Sequence, residues 1–332
     1  MRLDVFERGA RRWAAACVGA LALLAAMPCF AQLELTSTIE LPGTRGRLDH
    51  LAFDAATGRL FMAALEAGTI EVIDVRSAKR IARWTGATEP QGLAWSATGS
   101  RLFVADGAGG RVDAYVDGRV VGSIEGLADA DNLRWEPGTG RLAVGFGQSL
   151  GLIDIDAMRL VAPLPLAGHP EAFALAANGP SIYVNVPSAG HVAVVDRRTG
   201  EVTATWPVKP AARNYALAFD EDRHRLFVAT RQPGQLQVVD TTTGRRIGEV
   251  PICGDADDLF VDPKQREVIA ICGEGFVDVL REDGQSRYAR VQRLATSGGA
   301  RTGLLIPESG TLFVAVPSRN GATAEVRVYR VR

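Results

Sequence analysis

Seven stretches of the chain can be laid over one another, and no other feature limits its fold as strongly. They are "LDHLAFDAATGRLFMAA", "PQGLAWSATGSRLFVAD", "ADNLRWEPGTGRLAVGF", "PEAFALAANGPSIYVNV", "NYALAFDEDRHRLFVAT", "ADDLFVDPKQREVIAIC" and "RTGLLIPESGTLFVAVP". The equivalent positions Asp49, Gln91, Asp131, Glu171, Tyr215, Asp257 and Thr302 follow one another at steps of 42, 40, 40, 44, 42 and 45 residues. Repeated short strands at that period are expected of propeller blades, each a small sheet that stacks on its neighbours to bury its faces.

Each copy carries four short apolar or alternating segments divided by turn residues such as Thr57-Gly58, Thr139-Gly140, Thr199-Gly200 and Thr243-Gly244, which predicts hairpins. Third strands read "TIEVIDV", "GLIDID", "HVAVVD" and "QLQVVD". The Asp residues that end them, Asp74, Asp154, Asp196 and Asp240, look like a catalytic series but are better explained as turn residues that accept hydrogen bonds from their own backbone. The seventh copy has only three strands before the chain stops at "EVRVYRVR", whereas "LELTSTIELPG" (33–43) resembles a fourth strand standing alone. The expectation is an all-β, seven-bladed propeller closed by the N-terminal strand completing the C-terminal blade, which leaves no open sheet edge.

Residues 1–31 read as a secretory signal peptide: Arg2, Arg8, Arg11 and Arg12 precede the apolar run "WAAACVGALALLAAM" and a short "PCFA" segment. That run is too short for a membrane span. The expected domains are thus a leader over 1–31 and a propeller over 32–332, periplasmic or secreted, with no membrane span after cleavage. Removal of the leader leaves 33 basic and 36 acidic residues, a net charge of −3. With Lys rare and Arg scattered among acids, no nucleic-acid partner is expected.

The strings "GRLFVA", "GTIEVID", "HVAVVDRRTGEVTATWPV" and "GRRIGEVPI" resemble those of the secreted YVTN-type, YncE-like β-propellers of bacteria, with "YVNV" at 183–186 the nearest form of the family string. The resemblance spans the chain after the leader and implies a binding or scaffold protein rather than an enzyme.

In a propeller the first strand of each blade lines the central channel, and the loop leading into it opens where ligands commonly sit. This places Asp49, His50, Gln91, Asp131, Asn132, His169, Glu171, Asn214, Asp257, Asp258 and Arg301 at the channel mouth. Such a ring can be ordinary solvated surface, or a polar site for a small ligand or a protein partner. No resident cofactor is expected. A divalent metal on Asn132, Glu171, Asn214 and Asp257 would instead suit a lactonase or related hydrolase, although the Glu-Gly-Pro segment of lactonase propellers is absent.

After the leader the chain holds two cysteines, Cys253 and Cys272, both in the sixth copy. Antiparallel pairing of that copy's first two strands brings them together, so a disulfide is expected in an oxidising compartment, ahead of free thiols or a metal pair. "GQSLG" (147–151) matches the G-x-S-x-G pattern, but Ser149 lies in a hairpin rather than a strand-to-helix turn and is not read as a nucleophile.

Overall fold

Second and third strands such as "RLFMAA" and "TIEVID" are apolar on both faces and are buried along almost their whole length, whereas fourth strands such as Lys79–Trp84 alternate exposed with half-buried residues. That contrast is what a radial stack requires: inner strands are sandwiched between neighbouring blades and outer strands meet water. The computed structural model describes residues 33–209, 212–284 and 287–331. The leader expected over 1–31 lies outside the described residues. No helix among them is long and apolar enough to cross a membrane.

These strands form seven four-stranded antiparallel sheets, the blades of a seven-bladed propeller. Blades one to seven begin at the axis with the strands Leu51–Asp54, Pro90–Ser96, Leu133–Trp135, Phe173–Leu175, Ala212–Asp220, Ala256–Asp262 and Gly303–Ile306. Six blades are built from consecutive strands, while the seventh takes its outermost strand, Leu33–Leu41, from the other end of the chain, paired with Ala324–Val331. The core is accordingly divided into seven layers, one between each pair of neighbouring blades. Ile39 and Leu41 sit in the layer between blades seven and one, and Leu33 in the layer between six and seven.

The outermost strand of every blade carries one extra residue against its partner, a β-bulge. Read from the register, the extra residues are Thr36, Ile81, Val121, Val161, Thr203, Ile247 and Val291, all β-branched and all exposed. Bulges increase local twist, which suits strands that wrap the rim. In the two blades where this residue is Thr, its hydroxyl donates to the facing strand: Thr36 Oγ1 to Val328 O at 2.9 Å and Thr203 Oγ1 to Val194 O at 3.2 Å. The N-terminal strand therefore reproduces the local irregularity of the other fourth strands as well as their position.

The Asp residues that end third strands act as turn acceptors. Asp196 Oδ1 receives the amides of Arg198 (2.8 Å) and Thr199 (3.4 Å), and Asp240 Oδ1 those of Thr242 (3.0 Å) and Thr243 (3.1 Å). Gly200 and Gly244 then close the turns at φ +78° and +68°, a region a side chain would strain. Hydrogen bonds from Thr242 and Thr243 hold the Asp240 carboxyl down at about 2.

Cys253 and Cys272 are joined by a disulfide across a sequence separation of 19, between the loop preceding the innermost strand of blade six and the end of its second strand. A double Cys253→Ala, Cys272→Ala variant is expected to lose about 3 kcal/mol of stability on the chain-entropy relation. Denaturant unfolding measures the loss. Intact mass after alkylation without reductant checks the bridge itself, and two alkylated thiols in the folded protein would contradict it.

Candidate functional site

The backbone ladder of the innermost strands extends into the loops before them. In blade one the Asp49 amide donates to Ala63 O (2.8 Å), in blade three Asp131 to Gly145 O (2.9 Å), and in blade four Glu171 to Asn185 O (3.0 Å). Asp129 and Asp255, each two residues ahead of an aligned position, adopt positive φ (+55° and +61°). In blades two, five and six an extra residue is inserted on the innermost strand at this level. In blade six it is Asp257, set between Ala256 and Asp258. Bulges re-aim side chains, and here one brings a carboxylate to the axis.

Arg47, Asp49, His50, Asp131, Asn132, Glu171, Tyr215 and Asp257 converge on the resulting mouth. The enclosed space is only ≈ 10 Å³, about what one water-sized sphere needs. Arg47 spans blades one and six, its Nη2 2.9 Å from Asp49 Oδ2 and 3.9 Å from Asp257 Oδ2. The shorter pair is an ion pair whose angle is not that of a hydrogen bond. Arg231 lies over the Tyr215 ring, 3.6 Å from its centroid, and pairs with Asp257 and, at 3.3 Å, with Asp255.

His50 sits between Asp49 (3.7 Å) and Asp258 (3.6 Å). Burial opposes its charge, yet Asp258 and Asp49 outweigh burial and carry the imidazole up to about 9, so it is cationic at neutral pH. Burial raises the Asp49 carboxyl to about 6 in spite of His50 and Arg47. Asp131 is raised by burial, with Asp257 adding to the effect. Burial and then repulsion from Asp131 and Asp257 push Glu171 up to about 8.

Neither the Asp131 nor the Glu171 carboxyl has a hydrogen bond or ion pair among the described residues. Six carboxyl groups (Asp49, Asp131, Glu171, Asp255, Asp257, Asp258) thus surround three cationic groups (Arg47, His50, Arg231), with Arg301 pairing Asp255 from outside. Glu171, pushed up to about 8, keeps its proton at neutral pH.

The remaining expected residues lie around this centre or away from it. Asp258 accepts from the Gly303 amide (2.9 Å) and faces the channel below the mouth. His169 stands at the rim, its Nδ1 3.0 Å from Gly147 O and 3.5 Å from Asp129. Arg301 pairs with Asp255 at 3.2 Å, outside the central cluster. Gln91 is buried against Gly107 and does not line the mouth.

Asn214 is fully buried, and its amide donates to Asn185 Oδ1 (2.9 Å) and His191 O (3.0 Å), tying blade four to blade five. Among the described residues no three His, Cys, Asp or Glu side chains are arranged to hold a metal ion. Of the four residues considered for a metal, Asn132, Glu171 and Asp257 line the mouth, where Asp257 is held by Arg231, and Asn214 is turned into the blade junction.

One element escaped the sequence reading. Directly below the mouth, one to four residues further along the innermost strands, the channel widens to ≈ 410 Å³. Phe53, Trp95, Leu133, Trp135, Phe260 and Ile306 make most of its apolar wall, with Arg134, His50 and Asp258 as its charged groups. The signal was present: at the position of Arg134 the other six copies carry Ala52, Ala94, Ala174, Ala218, Phe260 and Leu305.

No family model matches the sequence, and no curated protein does. Solved structures match the fold. A chain in the crystal structure of a mitotic checkpoint complex superposes with TM-score 0.74 at 17% identity, covering 100% of this chain and 99% of that one. A chain of Kuenenia stuttgartiensis hydrazine synthase gives TM-score 0.75 at 15% identity, covering 88% of this chain and 99% of that one. Identities this low establish a shared propeller architecture and nothing about activity.

Proposed function

We propose that this propeller is a binding protein whose channel mouth accepts a positively charged group, an ammonium head of a small ligand or of a protein partner. One observation carries the reading: Asp131 and Glu171 bring carboxyls to a nearly filled pocket without a cation of their own. A buried unpaired carboxylate is costly, so the site holds a proton until a cation replaces it. The ≈ 10 Å³ space suits one ammonium head rather than a whole molecule. Membership of the YVTN-type propellers and a periplasmic or secreted location belong to the same proposal, supported by the strand strings, the leader-like segment and a disulfide suited to an oxidising compartment.

Thermal-shift titration with n-butylammonium, and with Ca²⁺ as a second cation, at pH 6.5 and 8.5 tests it against NaCl of equal ionic strength. The expected result is stabilisation by n-butylammonium that grows with pH, accompanied by proton release in calorimetry below pH 8, and abolished in Glu171→Gln. Equal responses of wild type and Glu171→Gln, or no response beyond that to NaCl, would remove the proposal. A response to Ca²⁺ alone would replace the ammonium reading with a metal one.

A further inference from the structure

We infer that the channel below the mouth is a second binding site, for a small amphipathic monocarboxylate whose anionic head meets Arg134 and whose apolar body fills the cavity between the innermost strands. This site is separate from the cation site above it and does not rest on that reading.

The cavity, ≈ 410 Å³, lies within the range of small-molecule sites, and its wall is drawn from six of the seven blades. Phe53, Trp95, Trp135 and Ile306 are only half-buried although each stands on an innermost strand, so apolar surface is left facing the channel. Such surface gains by contact with an apolar body.

Two cations line that wall, His50 and Arg134, and of the two Arg134 has no ion pair among the described residues, with Asp258 and Asp131 acting on it from further off. Arg134 Nη1 donates to the neighbouring Leu133 O at 2.8 Å, and no carboxylate among the described residues lies within ion-pair distance of the guanidinium. Asp258 is already engaged by His50 and the Gly303 amide, and Asp131 is at the mouth. Arginine presents its donors as a planar fork that matches a carboxylate, and one such fork lining a largely apolar cavity suits a single anionic head. Burial lowers the guanidinium's proton affinity, an effect that Asp258 and Asp131 offset only in part. The residue is not demanded by the fold, since four of the other copies place Ala at the same point.

Decanoate and 1-decanol, alike in body and different in head, provide the test, with binding followed by the intrinsic fluorescence of Trp95 and Trp135 and by calorimetry. Wild type is expected to bind decanoate at one per chain and decanol about tenfold more weakly or worse, the discrimination of a charge-assisted hydrogen bond. Arg134→Met, which keeps an apolar side chain of similar reach, should lose that preference while still binding decanol, and Arg134→Lys should recover part of it. The inference is overturned if neither compound binds wild type, if the two bind equally, or if Arg134→Met retains wild-type affinity for decanoate. Should Arg134→Met fail to fold, the comparison of the two compounds on wild type and on Arg134→Lys decides the matter.

Discussion

Removal of Leu33–Leu41 is expected to abolish the native fold at 25 °C. This strand buries Leu33, Ile39 and Leu41, each 4% exposed or less, and pairs along Ala324–Val331 from Leu33↔Val331 to Leu41↔Ala324. Truncating one buried Leu or Ile to Ala costs about 2–5 kcal/mol, so three together reach the ~5–15 kcal/mol that a whole domain possesses. The loss does not stop there. Val326 and Val328 would face water along an unpaired edge, which templates aggregation. Blade six would also lose Gln292, whose side chain bonds both the amide (2.9 Å) and the carbonyl (3.1 Å) of Leu33. Ile39→Ala is the graded form of the experiment, expected to cost about 3 kcal/mol. Guanidinium unfolding followed by circular dichroism reads both variants; a truncated chain with the wild-type midpoint would show that closure contributes nothing.

The second large effect is a stability difference that opens with pH. Glu171 is pushed up to about 8 in the folded protein, against an ordinary value of 4.5. Across that window the folded state binds the proton that the unfolded state releases, so stability falls as pH rises from 4.5 toward 8. Gln carries no charge at any pH and escapes this loss. Glu171→Gln should therefore match wild type at pH 4.5 and exceed it at pH 9 by on the order of 5 kcal/mol, given the size of the shift.

His50 acts through the opposite charge with the same trend. Its pKa is raised to about 9, so the stability it contributes is complete below 6.5 and disappears as pH rises through 9. Wild type should thus lose Tm steadily toward alkaline pH. Glu171→Gln should lose less, with the His50 component remaining. Parallel Tm-against-pH curves for the two proteins would refute the assignment of the excess proton to Glu171.

The blade number, the shared seventh sheet and the Asp turns were legible in the sequence because each is a local pattern repeated at a fixed interval. Part of the mouth was legible for the same reason: Asp49, Asp131 and Glu171 stand at aligned positions on unbulged strands and do converge. Gln91 and Asn214 were placed there by the same alignment and lie buried elsewhere. Asn214 stands one residue before the aligned position, where Leu48, Ala130 and Ala256 of other copies are buried as well, and Gln91 stands at an insertion on the innermost strand of blade two. An alignment of chain positions shows neither the insertion nor which neighbour of the aligned residue turns inward. Arg134 was passed over for a different reason. It adjoins the acids of "ADADNLRWEP", whose abundance drew attention, and only comparison down the column of copies reveals a charge where Ala is usual.

The pairing of Leu33–Leu41 with Ala324–Val331 also imposes an order in time. Of the described strands, the first to leave the ribosome is the one whose partner is made last, so it must stay unsatisfied while six complete sheets and most of a seventh are synthesised. Latching of the ring is thereby reserved for a chain translated through Ala324–Val331, and a product truncated shortly before Ala324 would leave Leu33–Leu41 without its partner and Thr311–Val316 with one open edge.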